Sequence, residues 1–394
     1  MTRWEVIVVG SGPAGAATAL RLLARDPELA GRVLLLDKAR HPRDKPCAGG
    51  LIPKADALLA ELGVVVEVPH ARVDVGGVGL PGGEWLRVEQ PDLCRVIRRR
   101  EFDAELAWAA RDRGATLAEG VRVTALARDG SGVRVETAAG VHWAPVVVGA
   151  DGSGSLVRRA LVPGDGGRVA RAVLCDLPVA GTRWDGVAER RYDFDFGCVA
   201  RGVRGYAWSF PCLIGGVPHV SAGVYALPPV DGVALQAALA AELARIGAAR
   251  AGGWKAFPIR TWTPATALSA PHVLLAGDAA GTDPLMGEGI SFALEYGMLA
   301  ADTLLAARAT GDWSFAGHAH AVRRGPIGRK LRRLEQATRL FYGPRHRLWF
   351  RAARASRRAQ RVGLAWFNGV DGWDRQSPWA AVAEFVWPRG VARG

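Results

Sequence analysis

The sequence predicts an α/β chain, α+β overall: a discontinuous Rossmann-like domain, an inserted antiparallel-sheet domain and a helical C-terminal region. Three observations carry this. The chain opens with a strand, a glycine-rich turn, a helix and a second strand. Two more short apolar runs of the same kind follow far downstream. Between about 166 and 258 the pattern changes to short alternating strands.

In the opening unit Val6 to Val9 is a strand, Gly10 to Gly15 a tight turn and Ala16 to Ala24 a helix. Val33 to Leu36 is the second strand and ends at Asp37. Unbroken apolar runs of this length mark strands covered on both faces. Val146 to Val148 and Val273 to Leu275 belong to the same class. Residues 101–113 predict an amphipathic helix with Phe102, Leu106, Ala109 and Ala110 on one face. Arg122 to Ala127 and Val133 to Thr137 alternate around Asp129-Gly130-Ser131-Gly132, a hairpin signal. In the inserted part Tyr192, Phe194 and Phe196 point one way along a strand, and Arg191, Asp193 and Asp195 the other. From 289 the chain reads helical to about 365. The expected boundaries are 1–65, 95–165 and 259–320 for the nucleotide domain, 66–94 and 166–258 for the inserted domain, and 321–394 for the basic C-terminal region.

A chain of 394 residues suits two domains. Hydrophobic residues make up 49 % and charged residues 23 %, with a mean hydropathy of +0.07, which excludes disorder, collagen and a disulfide-stapled miniprotein. The 50 glycines exceed the usual ~7 % and cluster beside apolar runs, where backbone approaches a ligand or turns sharply. The five cysteines, Cys47, Cys94, Cys175, Cys198 and Cys212, form no C-x-x-C pair, so neither a zinc site nor a disulfide framework is expected. A reducing, cytoplasmic compartment follows. The apolar run before Gly10 is only four residues, Val6 to Val9, so no signal peptide is expected. The stretch 205–230 lacks Asp, Glu, Lys and Arg but carries Pro211, Pro218, Pro228 and Pro229; it reads as buried strands and turns, not a membrane span.

Gly10-x-Gly12-Pro13-Ala14-Gly15 sits between a strand and a helix, 22 residues before Asp37. Glycines there let backbone N–H groups approach a pyrophosphate, and the helix N-terminus favours its charge. Asp37, with Lys38 beside it, can accept bonds from a ribose 2′-hydroxyl. Val148-Gly149-Ala150-Asp151-Gly152-Ser153 is a second motif after a buried strand. A third runs from Val273 through Gly277-Asp278 to Pro284 and Gly287-Glu288-Gly289-Ile290. A carboxylate at a strand end, as Asp278, can hold a ribityl hydroxyl, which FAD has and NAD lacks. A helix opening at Gly289 and Ile290 favours negative charge on a flavin pyrimidine. FAD is therefore the expected cofactor.

Together these motifs resemble the p-hydroxybenzoate hydroxylase-like flavoprotein group, which contains aromatic hydroxylases, flavin-dependent halogenases and geranylgeranyl reductases. The resemblance spans roughly residues 4–310. It implies FAD held by Gly10, Gly12, Gly15, Asp37, Asp278 and Gly289, with Arg99 as a flavin-contacting arginine flanked by Arg98 and Arg100. Pro42-Arg43-Asp44-Lys45-Pro46-Cys47-Ala48-Gly49-Gly50 resembles a loop of the reductases, which halogenases and some hydroxylases share in variant form. Ala48 replaces the usual glycine. Gly205-Tyr206-Ala207-Trp208-Ser209-Phe210-Pro211 resembles a segment of the geranylgeranyl reductase family of FAD-dependent oxidoreductases. Cys212 stands where that family carries a polar residue.

Tyr206, Trp208 and Phe210 alternate, so their rings share one face of a strand. They form either an apolar substrate wall or an ordinary core face, and the resemblance favours the wall. Reduction of an isolated double bond needs a hydride and a proton. The resemblance puts Cys47 over the flavin, where a thiol can supply the proton; the bland alternative is a packing residue. The expected activity is FAD-dependent reduction of carbon–carbon double bonds in an isoprenoid or prenylated lipid. The alternatives are a flavin monooxygenase acting on an aromatic or polyketide and a non-catalytic electron relay at a membrane. No second dinucleotide motif is evident, so NAD(P)H as a transient visitor or a ferredoxin is the expected donor.

The net charge of +13 lies in one place. Residues 321–363 hold 14 of the 51 basic residues and one of the 38 acidic ones, Glu335, leaving 37 of each elsewhere. Arg323, Arg329, Arg339, Arg351, Arg357, Arg358 and Arg361 interleave with Leu331, Phe341, Trp349, Phe350, Trp366 and Phe367. This reads as a peripheral element for an anionic membrane, a dock for an acidic partner or diphosphate, or a solvated helical face. Nucleic acid is not expected, because no fold motif for it occurs.

Overall fold

The computed structural model describes residues 1–164, 167–248 and 253–355, together with 360 and 363. A six-stranded sheet forms the nucleotide domain, in the order Ser269–Ala270, Val273–Leu275, Val147–Gly149, Val6–Val9, Val33–Asp37, Thr116–Glu119. All neighbours are parallel except the edge pair at Ser269–Ala270. The three central apolar runs are buried on both faces, as their composition demands. Helices Pro13–Arg25, Arg99–Asp112 and Ile290–Thr310 cover the sheet. The amphipathic helix starts two residues before its expected position, which brings Arg99 into its first turn.

Helix Ile290–Thr310 is long and apolar enough to cross a membrane, yet 67 % of its apolar window is buried. It is the core helix of this domain. A Cβ at Gly297 would lie 2.3 Å from the carbonyl oxygen of Ala14, so only glycine admits this crossing with the first helix. The hairpin Val123–Asp129 and Gly132–Thr137 forms as expected, and joins Gly140–Ala144 and Thr2–Arg3 in a four-stranded sheet.

The inserted sheet has eight strands, in the order Lys255–Thr261, Arg168–Pro178, Val217–Ala226, Gly205–Ile214, Arg191–Asp195, His70–Gly79, Trp85–Ile97, Gly50–Leu51. It is antiparallel except where Arg191–Asp195 meets His70–Gly79 in parallel, a pairing between segments far apart in the chain. One face carries Val173, Cys175, Val220, Ala222 and Val224 against helix Gly232–Arg245. The other faces the nucleotide domain and shares its core. The expected alternation holds for Tyr192 and Phe194 but stops before Phe196. Asp195 accepts a bond from the Gly197 N–H at 2.7 Å and starts a short 3-10 turn, Phe196–Arg201.

Helices His318–Arg324, Pro326–Phe341 and His346–Ala355 follow the core helix. Arg357, Arg358, Arg361, Trp366 and Phe367 lie outside the described residues, so the expected helix to about 365 is described only in part.

Candidate active site

The first strand delivers its glycine turn beside the strand Val147–Gly149. Gly10 has φ +102°, and a Cβ there would lie 2.3 Å from the Ala150 carbonyl oxygen. A Cβ on Gly15 would lie 1.8 Å from the Gly10 carbonyl, so this turn closes only on glycine. Gly12 differs. It caps helix Pro13–Arg25, and a Cβ there meets nothing nearer than the Arg43 guanidinium at 3.4 Å, with the Arg99 guanidinium at 4.0 Å. A helix N-terminus, open backbone and two cations suit a pyrophosphate. Pro13 and Ala14 form the buried first turn beneath it.

Asp37 ends the second strand. Its Oδ2 accepts from the Ser11 N–H at 3.0 Å and the Ser11 hydroxyl at 2.7 Å, and its Oδ1 from the Ala39 N–H at 2.9 Å. Burial opposes its charge, but these bonds and the Arg43 guanidinium hold the carboxyl below its ordinary range. Lys38 is exposed; Arg43, with Nε 3.8 Å away, is the cation beside Asp37.

The three consecutive arginines go separate ways. Arg98 makes a two-pronged pair with Asp176 of the inserted sheet, at 3.1 and 2.6 Å. Arg100 is half exposed and lies 3.5 Å from Asp44. Arg99 is buried and binds Asp103 one turn later at 2.6 and 2.8 Å. Burial lowers the Arg99 proton affinity, yet Asp103 outweighs it and raises the pKa above its ordinary value. Arg43 adds a second cation to Asp103 at 3.1 Å.

Asp278 gathers the remaining motifs. Its Oδ2 lies 3.4 Å from Lys45 Nζ and accepts from the Ser153 hydroxyl at 3.2 Å. Gly277 has φ +61°, and a Cβ there would lie 2.9 Å from Ala14, which ties this turn to the first helix. Gly289 caps the core helix, whose first residue is Ile290; a Cβ on Gly289 would lie 3.6 Å from Asp278 Oδ1. Gly287 has φ +67° and rests on the Tyr225 ring. Asp151 serves the local backbone. Its Oδ2 accepts the N–H groups of Leu156 and Val157 at 2.6 and 3.1 Å and caps helix Leu156–Leu161. Burial pushes its pKa up.

Tyr206, Trp208 and Phe210 share the face toward the nucleotide domain and are all buried. The Tyr206 ring lies 5.2 Å from Phe194 and 5.5 Å from Tyr225, and Phe210 lies 5.1 Å from both Tyr192 and Phe194. Tyr206, Tyr225 and Tyr342 donate their hydroxyls to the carbonyls of Met286, Pro284 and Leu285 respectively. The aromatic face thus holds the loop that opens the core helix. A Cβ on Gly50 would touch Phe210 at 3.3 Å, so the loop carrying Cys47 lies on the same face. Cys47 is half-buried, and its Sγ accepts the Gly49 N–H at 3.4 Å. Burial pushes the thiols of Cys94, Cys198 and Cys212 up to about 12 and that of Cys175 up to about 11, as suits packing residues.

The motifs missed Arg43, Lys45, Asp103 and Ser153 as site residues. Arg43 and Lys45 lie within the quoted loop, and their alternation with Asp44 was the available signal. Asp103 sits one helical turn from Arg99, the spacing of an ion pair.

An open glycine cradle between guanidinium groups, one carboxylate at each of two strand ends and a capped helix opening fit FAD. Residues 3–169 match the family model described as an FAD binding domain. Fold and site define an FAD-dependent oxidoreductase. The chain is 32 % identical to a menaquinone reductase of Mycolicibacterium smegmatis over 80 % of its own length and 79 % of the relative's. It is 31 % identical to a digeranylgeranylglycerophospholipid reductase of Methanopyrus kandleri, over 79 % and 83 % of the two chains. A geranylgeranyl bacteriochlorophyll reductase-like protein of Thermoplasma acidophilum superposes with a TM-score of 0.75 at 19 % identity, covering 93 % of this chain and 96 % of the other. A flavin-dependent brominase shares the fold at a TM-score of 0.73 and 19 % identity, over 98 % and 99 %. The chain belongs to the geranylgeranyl reductase family of FAD-dependent oxidoreductases.

Proposed function

We propose that the protein reduces carbon–carbon double bonds in the isoprenoid chain of a prenylated lipid. The observation that carries this is the continuity of the aromatic face with the cofactor site: Tyr206 bonds Met286, and Phe210 lies against Gly50 of the Cys47 loop. A wall of rings suits a long apolar chain. The relatives named as menaquinone and digeranylgeranylglycerophospholipid reductases support the substrate class.

FAD, when bound, supplies the hydride. Gly12, Arg43 and Arg99 hold its pyrophosphate, Asp37 a ribose and Asp278 the ribityl chain. Tyr206, Trp208 and Phe210 hold the substrate chain and keep water away. Cys47 donates its thiol proton to the second carbon, and solvent reprotonates the thiolate. A thiol suits this role beside an apolar chain, where an ionised carboxylate would be costly to bury. Electrons come from NAD(P)H or a ferredoxin. The protein is cytoplasmic and docks peripherally on membranes through its basic C-terminal helices.

The test is anaerobic mixing of reduced holoenzyme with a menaquinone carrying two isoprene units, followed by mass spectrometry. A product with two added hydrogens in the chain is expected. An unchanged lipid, together with oxygen-dependent hydroxylation of an aromatic substrate, would overturn the reading in favour of a monooxygenase.

A further inference from the structure

The aromatic face carries two polar groups that its packing does not explain. Trp208 pairs across the strands with Gly223, and Gly223 with Leu174; Phe210 pairs with Ser221, and Ser221 with Asp176. Cross-strand partners share a face, so all six side-chain positions look toward the nucleotide domain. Two contacts confirm the direction. Arg98, at the start of the helix beside the Cys47 loop, reaches Asp176, and Gly50 sits on Phe210. Gly223 has no side chain, and a Cβ there would lie 2.3 Å from Cζ2 of Trp208. The indole therefore lies across Gly223, diagonally next to Ser221.

Trp208 is 4 % exposed and Ser221 0 %. Among the described residues, neither Trp208 Nε1 nor Ser221 Oγ has a hydrogen-bond partner. Leu174 and Phe210 are apolar, and the nearest polar side chain, Asp176, is turned to Arg98 through both oxygens. A buried unpaired donor is destabilising, and native proteins retain few of them. Phenylalanine and alanine would fill the same space without that penalty. Two donors, one an N–H with no acceptor capacity and one a hydroxyl, on neighbouring strands of a face that is otherwise apolar, suit a single acceptor oxygen.

We infer that Trp208 Nε1–H and Ser221 Oγ–H form a polar notch that binds a carbonyl oxygen on the apolar substrate. The inference rests on the lipid-reductase reading and narrows it. The substrate is a prenyl chain joined to a carbonyl-bearing ring of quinone type, seated with one carbonyl on the notch, rather than a plain hydrocarbon. The notch is a specificity element, because a buried site built to hydrogen-bond an oxygen discriminates against an analogue that lacks it.

The experiment compares Trp208→Phe and Ser221→Ala with the parent, all loaded with FAD. The probes are a menaquinone with two isoprene units and a naphthalene bearing the same chain without carbonyls. Calorimetry gives both dissociation constants. The parent is expected to prefer the quinone, and each variant to lose roughly tenfold of that preference. Ligand-free Ser221→Ala is expected to melt no lower than the parent, since it loses an unpaired group. A quinone-to-naphthalene ratio unchanged in both variants overturns the notch and leaves the lipid reading intact. A parent that binds neither probe overturns both.

Discussion

Tyr206 donates its hydroxyl to the backbone carbonyl of Met286, joining the aromatic strand of the inserted sheet to the loop that opens the core helix. Tyr225 and Tyr342 hold the two preceding carbonyls in the same way. The ring face and the helix opening therefore move as one body. Tyr206→Phe keeps the ring but removes the bond to the part-buried Met286 carbonyl, at a cost of about 1 kcal/mol. The expected result is a lower melting temperature with FAD still bound, and a shifted flavin absorption band as the loop relaxes. An unshifted band and an unchanged melting temperature would show that the link is idle.

Gly12→Val tests the cofactor cradle. Gly12 has φ −68°, and a Cβ there meets side-chain ends alone, the nearest the Arg43 guanidinium at 3.4 Å with Asp103 and Arg99 at 3.9 and 4.0 Å, so the fold can accept the side chain. A pyrophosphate cannot. The variant is expected to be soluble, with a parent-like circular dichroism spectrum, and colourless. Stoichiometric FAD in the variant would remove Gly12 from the site.

Asp283 offers a pH test. Its carboxyl is buried beside Glu288, and burial raises its pKa from 3.8 to about 7 against the opposing Leu285 and Met286 N–H bonds. Between these values the folded protein keeps a proton that the unfolded chain releases. Stability contributed by this group is thus complete below about pH 4 and is lost as pH rises toward about 7. Asp283→Asn removes the dependence; its single oxygen keeps the Leu285 N–H bond and gives up the Met286 one, a loss that does not vary with pH. Calorimetry of the holoproteins is expected to show the variant's melting temperature gaining on the parent's from about pH 4 to 7. A constant gap would mean that Asp283 titrates normally.

The parts of this site legible in the sequence are those whose spacing is local. Gly10, Gly12 and Gly15 declare a turn, Asp37 and Asp278 end apolar runs, and the alternation of Tyr206, Trp208 and Phe210 puts three rings on one face. The rest depends on long-range contact. Lys45 reaches Asp278 across 233 residues, and Ser153 reaches it across 125. Both lie in segments that the sequence singles out, but nothing local tells which carboxylate they reach. Ser221 becomes notable only when register sets it between Phe210 and Asp176. Phe196 left its expected strand because Asp195 caps the next turn, a competition between side-chain capping and alternation that the pattern alone does not weigh.

The basic helices close over the same aromatic cluster. Phe350 lies 5.3 Å from Phe196, and Tyr342 bonds Leu285, while Arg332, Arg339, Arg345, Arg347 and Arg351 are exposed with Leu340 and Leu348. Each basic residue near an anionic membrane contributes about 1 kcal/mol, screened beyond a Debye length of roughly 8 Å. Co-sedimentation with phosphatidylglycerol vesicles is expected at low salt and should fall steeply at high salt. Leu348→Asp should weaken it further, by removing the exposed apolar residue. No binding at low salt would return these helices to the role of a solvated cover.

Cys47→Ser separates the two halves of the proposed chemistry. Hydride delivery belongs to the cofactor, so the variant is expected to bind FAD and to accept electrons at the parent's rate. Protonation of the second carbon belongs to the protein, and a hydroxyl is a far weaker acid than a thiol. The loss should therefore fall on reoxidation of prereduced enzyme by the alkene, by about a hundredfold or more, read by stopped flow. Cys47 lies in a loop fixed by Gly49, whose N–H binds its Sγ and whose carbonyl accepts the Ile97 N–H at 2.9 Å. Serine can accept the first bond and leaves the second untouched, so misfolding of the loop does not account for the expected loss. Reoxidation at the parent's rate would make Cys47 a packing residue and pass the proton to solvent.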